Sequence, residues 1–462
     1  MNRRKFLEKN LKYSLALSGI GLASNAKNSF SAGIKNQHSP PDGFLISKPI
    51  DNVRIAVIGL GARGFFLFQD YLNLQNTAII AVCDIDNDAT DKALEYAKKI
   101  GKPIPNVYGH NAESYLKLLE NEEIDLVVIA TPWEWHAPMS IEAMRSGAHV
   151  AVEVPAATTI EECWQIVQVA EQTKKHCVML ENVNYFQPEM AVLKMVRNGL
   201  FGKLLHLEGG YLHDIRREML DPSRFSPDYW RLEHIRKRNA SLYPTHGIGP
   251  LANYIDINRG NQFTQLYSVA SPTGAIEQYI KDHQPDSKYK EEIFACGNMV
   301  TTTIKTYSGQ TILIKYSTTA PMPYSRACYV QGTKGMVKVH PEHRMYLDEF
   351  GNHKWVNLAY YYKGHVTYEF NHDFWNRWGQ ISQGRDNTLD GRHGNGDTIM
   401  NHRLIECLRM GIPTDMNVYD AASQSAIIGL SEKSISSGNV IDFPDFTRGK
   451  WKDWTAENYK LL

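Results

Sequence analysis

Apolar runs of β type alternate with stretches of helical periodicity from Val53 to about Leu180. This alternation indicates βαβ units and a parallel sheet, because each buried parallel strand needs a crossover helix before the next strand. Strands are predicted at Val53–Leu60, Ala78–Asp84, Leu126–Ala130, His149–Glu153 and Cys177–Leu180. Helices are predicted at Phe65–Leu74, Ala89–Ile100, Ala112–Glu120, Met139–Ser146 and Ile160–Lys174, the last of them after the capping sequence Thr159-Ile-Glu-Glu162.

The pattern changes after Asn182, where the regular alternation of strands and helices ends. A helix at Pro188–Gly199 and a strand at Leu204–Tyr211 precede residues 212–250, which we predict to be irregular. Further strands joined by Gly-containing turns predict an antiparallel sheet, and two helices follow it. These strands lie near Gln265–Ser271, Met299–Thr306, Thr311–Thr318, Ala327–Gln331 and Met336–His340, and the helices lie at about Thr398–Met410 and Asp420–Ser436.

The predicted fold is therefore of the α/β class. An N-terminal Rossmann domain with a doubly wound parallel sheet is followed by a C-terminal α+β domain with a mostly antiparallel sheet. We place the Rossmann domain at residues 53–182 and a substrate-binding domain at residues 183–462. Residues 34–52 are rich in Ser, Pro, Asn and Gly without periodicity, which predicts a linker.

Residues 1–33 have the features of a twin-arginine export signal. Arg3 and Arg4 precede an apolar stretch from Tyr13 to Ala23, which is too short for a comfortable membrane span. A basic, frayed N-terminal helix is the alternative. The export signal predicts a periplasmic protein that folds before it leaves the cytoplasm.

The composition excludes two further classes of protein. The chain has 50 Lys and Arg residues against 50 Asp and Glu residues, so its net charge gives no reason to expect nucleic acid as a partner. Its 6 cysteines are scattered without disulfide or metal-ligand spacing. We therefore predict neither a disulfide framework nor a metal site.

The first predicted strand ends in the glycine turn Gly59-x-Gly61-x-x-Gly64, and the second ends in Asp84, twenty positions after the third glycine. Together with the helix that follows the turn, this spacing indicates a dinucleotide site. The first glycine allows the tight turn, the second lets backbone approach the pyrophosphate, and the third lets helix pack on strand. Asp84 would accept hydrogen bonds from ribose hydroxyls and repel a 2′-phosphate, which favours NAD over NADP. A glycine-rich turn without ligand is the alternative.

Ligands of open α/β sheets bind beyond the carboxyl ends of the strands, so the residues after each strand are candidates for the site. The third strand is followed by Trp133-Glu-Trp-His136, which would form a wall for the nicotinamide or an aromatic cluster at a domain interface. With the segment Glu153-Val-Pro155 after the fourth strand, the chain resembles the Gfo/Idh/MocA oxidoreductase superfamily over about Val53 to Gln331. Dehydrogenases of that superfamily usually have a lysine where this chain has Val154, which argues against an ordinary sugar dehydrogenase.

A narrower resemblance, to glycoside hydrolase family 109, covers essentially the whole mature chain. It is carried by Pro132-Trp-Glu-Trp-His136, Glu161-Glu-Cys-Trp164, Gly209-Gly-Tyr-Leu-His-Asp214, Tyr243-Pro-Thr-His-Gly247, Asp256-Ile-Asn-Arg-Gly260, Gln331-Gly-Thr-Lys-Gly335 and Leu430-Ser-Glu-Lys-Ser434. The resemblance implies an NAD-dependent, retaining α-N-acetylgalactosaminidase that acts on terminal N-acetylgalactosamine. Besides Gly59, Gly61 and Gly64, the implied cofactor contacts are Ala62, Arg63, Asp84, Trp133, Glu134, Trp135, His136, Glu153, Val154 and Asn182. The implied substrate contacts are Tyr211, Arg231, Tyr243, Pro244, Thr245, His246 and Tyr324.

The implied chemistry needs bases and hydroxyl donors in place of the usual pair of carboxylates. NAD would accept a hydride from C3 of the sugar, which acidifies the C2 proton, so that the C1 substituent can leave before water adds and the steps reverse. We expect His246 to be one base and Tyr243 and Tyr185 to move protons, while Arg231 grips the acetamido carbonyl or a hydroxyl. Which tyrosine acts at C2 stays open. Without the resemblance, a single His or Tyr at such places is more often structural.

Two other functions remain as alternatives. A net sugar oxidoreductase would release NADH, but Val154 and the export signal argue against it, because NAD is scarce outside the cytoplasm. An exported enzyme would have to be loaded with NAD first, hold it tightly and recycle it in each turnover. A sugar-binding protein with NAD as structural filler is the second alternative, against which His246 and the tyrosines argue. A homo-oligomer is possible, although no feature of the sequence fixes its symmetry.

Overall fold

The computed structural model describes residues 46–221, 230–351, 353–364, 369–379 and 396–455. The predicted signal at residues 1–33 and most of the predicted linker lie outside the described residues, and the export signal stays a prediction. Within the described part of the chain, no helix combines the length and the apolar character that crossing a bilayer requires. The six cysteines all lie in this part and are buried and free.

A six-stranded parallel sheet forms the first half of the molecule, with the strand order β3-β2-β1-β4-β5-β6. The chain adds strands β2 and β3 on one side of β1 and strands β4 to β6 on the other, so the strand order reverses between β1 and β4. Ligands of such sheets bind at the carboxyl ends of the strands at this point. The five predicted strands are all present. The strands are β1 Val53–Ile58, β2 Thr77–Asp84, β3 Asn106–Gly109, β4 Leu126–Ile129, β5 His149–Val152 and β6 Cys177–Met179.

The helices of this half agree with the predicted ones except at one start. The helix predicted from Met139 begins six residues earlier, because Pro138 is accommodated inside the helix instead of ending it. The apolar pattern also does not predict β3, an edge strand whose Val107 is 46 % exposed. The helices are α1 Ala62–Asn73, α2 Asn87–Lys99, α3 Ser114–Asn121, α4 Trp133–Arg145 and α5 Ile160–Thr173, the last with the predicted capping box.

A nine-stranded sheet forms the second half, with the order β14-β13-β12-β11-β7-β10-β9-β8-β15. Its named strands pair antiparallel except β7 and β10, which run parallel. The predicted fold class is therefore confirmed. The strands are β7 Leu204–Leu212, β8 Phe263–Ala270, β9 Val300–Thr306, β10 Thr311–Ser317, β11 Cys328–Gly332, β12 Gly335–His340, β13 Arg344–Leu347, β14 Val356–Asn357 and β15 Ile441–Asp442.

The described part of residues 212–250 contains helices, so the prediction that this region is irregular is wrong. The sequence does not predict the last of these helices, because Gly247, Gly249 and Pro250 are poor helix formers. A Cβ on Gly247 would lie 2.4 Å from the backbone nitrogen of Gly210, so the contact with β7 requires glycine there. The helices of the second half are α6 Gln187–Arg197, α7 Arg216–Leu220, α8 Trp230–Lys237, α9 Thr245–Tyr254, α10 Ala275–His283, α11 Asp373–Trp378, α12 Gly396–Met410 and α13 Val418–Ser437.

The last two helices return to the first sheet. Helix α12 buries Ile399 and Leu404 in one core with Val53 and Ile55 of β1. Helix α13 lies against both α5 and β8, and α9 lies against both β7 and the 3-10 turn Asn182–Tyr185 that follows β6. The predicted boundary between residues 182 and 183 separates the two sheets along the chain, while these helices join them in space.

Candidate functional site

The glycine turn after β1 has the geometry that a dinucleotide site requires. Gly59 has a φ of +87°, and a Cβ there would lie 2.6 Å from the carbonyl oxygen of Ala130. A Cβ on Gly64 would lie 1.8 Å from the carbonyl oxygen of Gly59, so the third glycine permits the close packing of α1 on β1. A Cβ on Gly61 would meet nothing within 4 Å, which leaves open space beside the backbone where the pyrophosphate is expected.

The first turn of α1 offers amides to an anion. The amide of Phe65 donates to the carbonyl oxygen of Gly61 at 2.8 Å, and the amides before it, those of Ala62, Arg63 and Gly64, precede the first intrahelical bond. Such amides and the positive end of the helix dipole bind phosphate groups. The turn therefore fits a pyrophosphate by its own backbone.

Asp84 lies at the carboxyl end of β2, beside the glycine turn. Its Oδ2 accepts a hydrogen bond from the amide of Leu60 at 2.5 Å, and its Oδ1 accepts one from the amide of Asp86 at 2.9 Å. A carboxylate has about four lone-pair positions, so acceptor capacity remains for ribose hydroxyls. These residues fit NAD on structural grounds, as the sequence predicts.

The side chain of Arg63 turns from the glycine turn into a buried ion network. Its Nε donates to Glu153 at 2.7 Å, and its two terminal nitrogens donate to Asp397 at 3.0 and 2.6 Å. Burial acts to lower the pKa of Arg63, but the charges of Asp397 and Glu153 outweigh it and hold the pKa well above its usual value. The sequence does not indicate Asp397, because it lies 334 positions from Arg63.

His136 is buried in the first turns of α4, and both of its ring nitrogens face backbone carbonyls. The distances are 2.6 Å from Nδ1 to Pro155 and 2.7 Å from Nε2 to Thr131. Burial lowers the pKa of His136 despite these two bonds. The ring therefore braces the segment after β4 against the segment after β5, and a direct contact with the cofactor stays a prediction.

Trp133 and Glu134 connect α4 to the second half of the molecule. The ring of Trp133 stacks on Tyr243 at 5.5 Å and 19° and meets the edge of Trp230 at 4.8 Å. Glu134 lies 3.5 Å from His234 on α8. This is the interface cluster that the sequence leaves as an alternative. Trp135 is only partly buried and packs against the hydrophobic core that contains Trp133.

Val154 and Asn182 lie at the ends of the next two strands. Val154 is 3 % exposed and has no side-chain donor, so nothing replaces the missing lysine at that position. Asn182 is 2 % exposed and begins the 3-10 turn after β6. Their predicted contacts with the cofactor stay predictions, although both residues lie on the edge of the sheet that carries the glycine turn.

His246 is held by a carboxylate that the sequence analysis does not single out. Its Nδ1 lies 2.7 and 3.0 Å from the two oxygens of Glu181, and Glu181 also accepts from the amide of Val183 at 3.1 Å. A Cβ on Gly249 would lie 2.7 Å from Cγ of Glu181, so the glycine lets α9 approach this carboxylate. Glu181 lies two residues after the end of β6, and the rule that ligands bind at strand ends could have found it.

Tyr243 and Tyr211 pack against His246, and Tyr324 adjoins Tyr211. The ring of Tyr243 is 4.9 Å from the His246 ring at 90°, and Tyr211 is 4.6 Å from Tyr243 and 6.0 Å from Tyr324. Burial raises the pKa of Tyr243 well above its usual value, although the charge of Arg231 acts to lower it. Burial also raises the pKa of Tyr324. Both phenols therefore keep their proton at neutral pH and can donate a hydrogen bond to a ligand.

The remaining predicted substrate contacts adjoin this group. The guanidinium carbon of Arg231 lies 5.4 Å from the Tyr243 ring and 5.5 Å from the Trp133 ring. Pro244 precedes α9, and its carbonyl oxygen accepts from the amide of Ile248 at 2.9 Å. The hydroxyl of Thr245 is buried and has no hydrogen-bond partner among the described residues. A buried polar atom of this kind is satisfied when a ligand supplies the partner.

Tyr185 lies apart from this group, and its predicted catalytic role stays a prediction. Its hydroxyl donates to Oδ2 of Asp415 at 3.2 Å, and its ring lies in the core that α12 forms with the first sheet. Burial raises the pKa of Tyr185 well above its usual value, and the charge of Asp415 acts in the same direction. The segment Asn182–Tyr185 turns as a 3-10 helix, so consecutive side chains diverge and proximity in sequence did not predict the direction of this one.

Fold and site together define a class of protein, in which a Rossmann domain with a glycine turn is joined to a second half that contributes a histidine and tyrosines. Residues 53–181 match the model of an oxidoreductase family with an NAD-binding Rossmann fold, and residues 185–453 match the model of the glycosyl hydrolase 109 C-terminal domain. The chain belongs to glycosyl hydrolase family 109 and is thus a glycoside hydrolase with an NAD-binding domain. The resemblance noted in the sequence is confirmed.

Two relatives match this chain over nearly its whole length, and one of them is named for the same family. The chain is 40 % identical over 458 residues to the alpha-N-acetylgalactosaminidase of Shewanella oneidensis, covering 98 % of this chain and 97 % of that relative. It is 40 % identical over 461 residues to a glycosyl hydrolase family 109 protein of Shewanella baltica, covering 98 % and 97 %.

Solved structures share the fold at low sequence identity. Levoglucosan dehydrogenase in complex with NADH and levoglucosan superposes with a TM-score of 0.62 at 18 % identity, over 85 % of this chain and all of that chain. Myo-inositol 2-dehydrogenase from Lactobacillus plantarum gives a TM-score of 0.60 at 19 % identity, over 86 % and 100 %. These likenesses establish the fold of the chain and no more.

Proposed function

We propose that the protein hydrolyses α-N-acetylgalactosaminides with retention and uses a bound NAD that it recycles in each turnover. The observation that carries the proposal is the pair of His246 and Glu181, with Nδ1 of the imidazole 2.7 Å from the carboxylate, beside the edge of the NAD-binding domain. The name of the relative from Shewanella oneidensis supports the choice of substrate. A histidine held by a buried carboxylate differs from the two carboxylates that flank the glycosidic bond in the usual glycosidases.

The residues that would hold NAD are the glycine turn, Asp84 and the segment that begins at Asn182. Bound NAD would supply a reversible hydride acceptor for C3 of the sugar. The protein must then move the accompanying protons and hold the sugar, and these tasks fall to the histidine and the tyrosines.

His246 is suited to exchange a proton with a sugar hydroxyl or carbon. Glu181 engages Nδ1, which leaves Nε2 as the nitrogen that takes up and returns the proton. The carboxylate stabilises the imidazolium that forms, and Glu181 is fully buried, so water does not screen this interaction. His246 is the proposed base.

Tyr243 and Arg231 serve the oxygens of the sugar. A protonated phenol donates a hydrogen bond to an oxygen on which negative charge develops, and burial keeps the hydroxyl of Tyr243 protonated. Arg231 carries a fixed positive charge against the Tyr243 and Trp133 rings, where it can hold the acetamido carbonyl or a hydroxyl. These roles divide the site into a proton-exchanging half and an oxygen-binding half.

A net sugar oxidoreductase is the second candidate, because the solved structures with this fold are named as dehydrogenases. Dehydrogenases of the superfamily that the sequence resembles usually have a lysine where this chain has Val154, which favours the glycosidase. A buried valine cannot take a proton from the hydroxyl that is being oxidised. His246 alone would have to do so in either reaction, so the products distinguish the two functions.

Hydrolysis in deuterated water tests the proposal. The purified protein should release the aglycone from an aryl α-N-acetylgalactosaminide without added NAD, and the released sugar should carry deuterium at C2. A product that keeps its C2 proton throughout turnover would rule out elimination across C1 and C2. Release of NADH in proportion to product would favour the oxidoreductase.

The proposal extends to the place of action. An export signal at residues 1–33 would carry the folded protein, already loaded with NAD, to the periplasm. Cell fractionation of the full chain against a variant with Arg3→Lys and Arg4→Lys tests this, with accumulation in the cytoplasm expected for the variant. Equal export of both proteins would contradict the proposal that residues 1–33 are a twin-arginine signal.

A further inference from the structure

Asp397 lies where three segments of the proposed cofactor site meet, although it belongs to the C-terminal part of the chain. It is fully buried in the first turn of α12, and its two oxygens accept from the two terminal nitrogens of Arg63. The third nitrogen of Arg63 donates to Glu153. Arg63 thus links the glycine turn to the end of β5 through Glu153 and to α12 through Asp397.

A second pair of contacts fixes α12 along the side of α1. The hydroxyl of Thr398 donates to Oδ1 of Asp70 at 3.1 Å, and the amide nitrogen of Asn401 donates to Oδ2 at 2.6 Å. Asp70 is 2 % exposed, so these bonds lie in the interior. The helix that presents its amides to the pyrophosphate is therefore tied to α12 at its first turn by Arg63 and two turns later by Asp70.

The start of α12 also touches the other end of the site. A Cβ on Gly396 would lie 2.2 Å from the Phe186 ring and 3.1 Å from the carbonyl oxygen of Asn182. The first turn of α12 is therefore closely packed against the segment after β6. It contacts Arg63 of the glycine turn on one side and the segment that begins at Asn182 on the other.

The guanidinium of Arg63 depends on both of its carboxylate partners, so the loss of Asp397 alone would disturb its position. Arg63 has five N–H donors, and the carboxylates of Glu153 and Asp397 take three of them from two directions, which fixes the plane of the group. Removal of one buried partner leaves the cation with incomplete compensation and lets it reorient. Movement of Arg63 would carry the first turn of α1 and the Glu153 carboxylate with it.

We propose that Asp397 is a positioning residue for the cofactor, which holds the first turn of α1 and Glu153 in place through Arg63 and thereby slows the release of NAD. The inference rests on the proposed function in one respect, namely that NAD binds at the glycine turn. It assigns the retention of the cofactor to a helix outside the Rossmann sheet.

The release of NADH from the full-length protein tests this without reference to hydrolysis. Protein loaded with NADH is mixed with a large excess of NAD, and the loss of the bound nicotinamide fluorescence gives the release rate. Asp397→Asn, which keeps the size and removes the charge, should release NADH at least about tenfold faster than the wild type. Asp397→Glu, which keeps the charge, should restore the rate to within about threefold.

Glu406→Gln is the matched control, since Glu406 lies on the same helix and pairs with Arg377 and Arg403 at 2.7 Å. It should destabilise α12 and leave the release rate unchanged. Arg63→Lys, which keeps the charge and loses the planar fork, provides a second variant if Asp397→Asn does not fold, and it should also release NADH faster.

Each outcome decides between the two proposals. Wild-type protein that binds no NADH would overturn both the proposed function and this inference. Wild-type protein that retains NADH, with release from Asp397→Asn and Arg63→Lys at the wild-type rate, would overturn the inference alone. Equal acceleration in Glu406→Gln would also overturn it, because the effect would then reflect general loosening of α12.

Discussion

Replacement of Glu181 by glutamine separates the charge of the His246 partner from its shape. Glutamine keeps an oxygen that can accept from Nδ1 and keeps the volume between α9 and the segment after β6. It removes the negative charge that stabilises the imidazolium. The amide of Val183 still has an oxygen to donate to, so the turn should form as before.

The size of the effect follows from the distance. Two unit charges 2.7 Å apart attract by about 6 kcal/mol at an effective dielectric constant of about 20, which is an upper limit. Desolvation of the pair and the neutral hydrogen bond that survives in the variant reduce the loss, and a charge-assisted bond is worth about 1.5–3 kcal/mol. We expect a loss of about 2–3 kcal/mol, which corresponds to roughly 30- to 150-fold in kcat.

The assay is hydrolysis of an aryl α-N-acetylgalactosaminide by Glu181→Gln, with the NAD content and the thermal midpoint measured on the same preparation. KM should change little, because Glu181 is fully buried and has no exposed surface to offer the sugar. Glu171→Gln, which weakens another partly buried pair with Arg448, is the control and should keep full activity. A kcat within threefold of wild type for Glu181→Gln would refute the role of the carboxylate.

Three other predictions concern the neighbouring residues. Tyr243→Phe should lower kcat by roughly 10- to 100-fold with the thermal midpoint nearly unchanged, measured by hydrolysis and calorimetry. Gly61→Ala should fold normally, because its methyl group enters open space, and should lose NAD affinity, because the pyrophosphate is expected in that space. Gly64→Ala should not fold, because its methyl group meets a carbonyl oxygen. Titration with NADH measures the affinity, and circular dichroism measures folding. His176 is buried with its pKa lowered to about 4, so the stability it contributes is present above pH 6.5 and is lost as the pH falls towards 4. As the pH falls, the free energy of unfolding of His176→Gln should therefore decrease by up to about 3 kcal/mol less than that of the wild type, as measured by acid titration.

The parallel sheet and the glycine turn could be predicted because their signals are local. A buried strand such as β1 is an unbroken apolar run, and each glycine of the turn answers a steric demand within a few residues of itself. Asp84 follows at a fixed distance for the same reason. The edge strand β3 gives no such run, because half of its surface faces solvent.

The candidate site could be predicted only in part, because its geometry depends on contacts between distant residues. His246 and Tyr243 are found by motif, but α9 forms against β7 through Gly247, and no local pattern indicates that helix. Glu181 and Asp397 act on partners 65 and 334 positions away. Tyr185 is the converse case, since it is close to Asn182 in sequence and points into a different core.

The return of α12 to the first sheet has a consequence for the order in which the protein can be made. Strand β1 is the first strand of the described part of the chain to leave the ribosome, but the core that it shares with Ile399 and Leu404 is complete only after about 350 further residues have been made. During that interval the nascent chain exposes an apolar face that chaperones would have to shield. A translocation route that accepts only completed proteins would suit such a chain, because any earlier departure would leave its nucleotide domain unfinished.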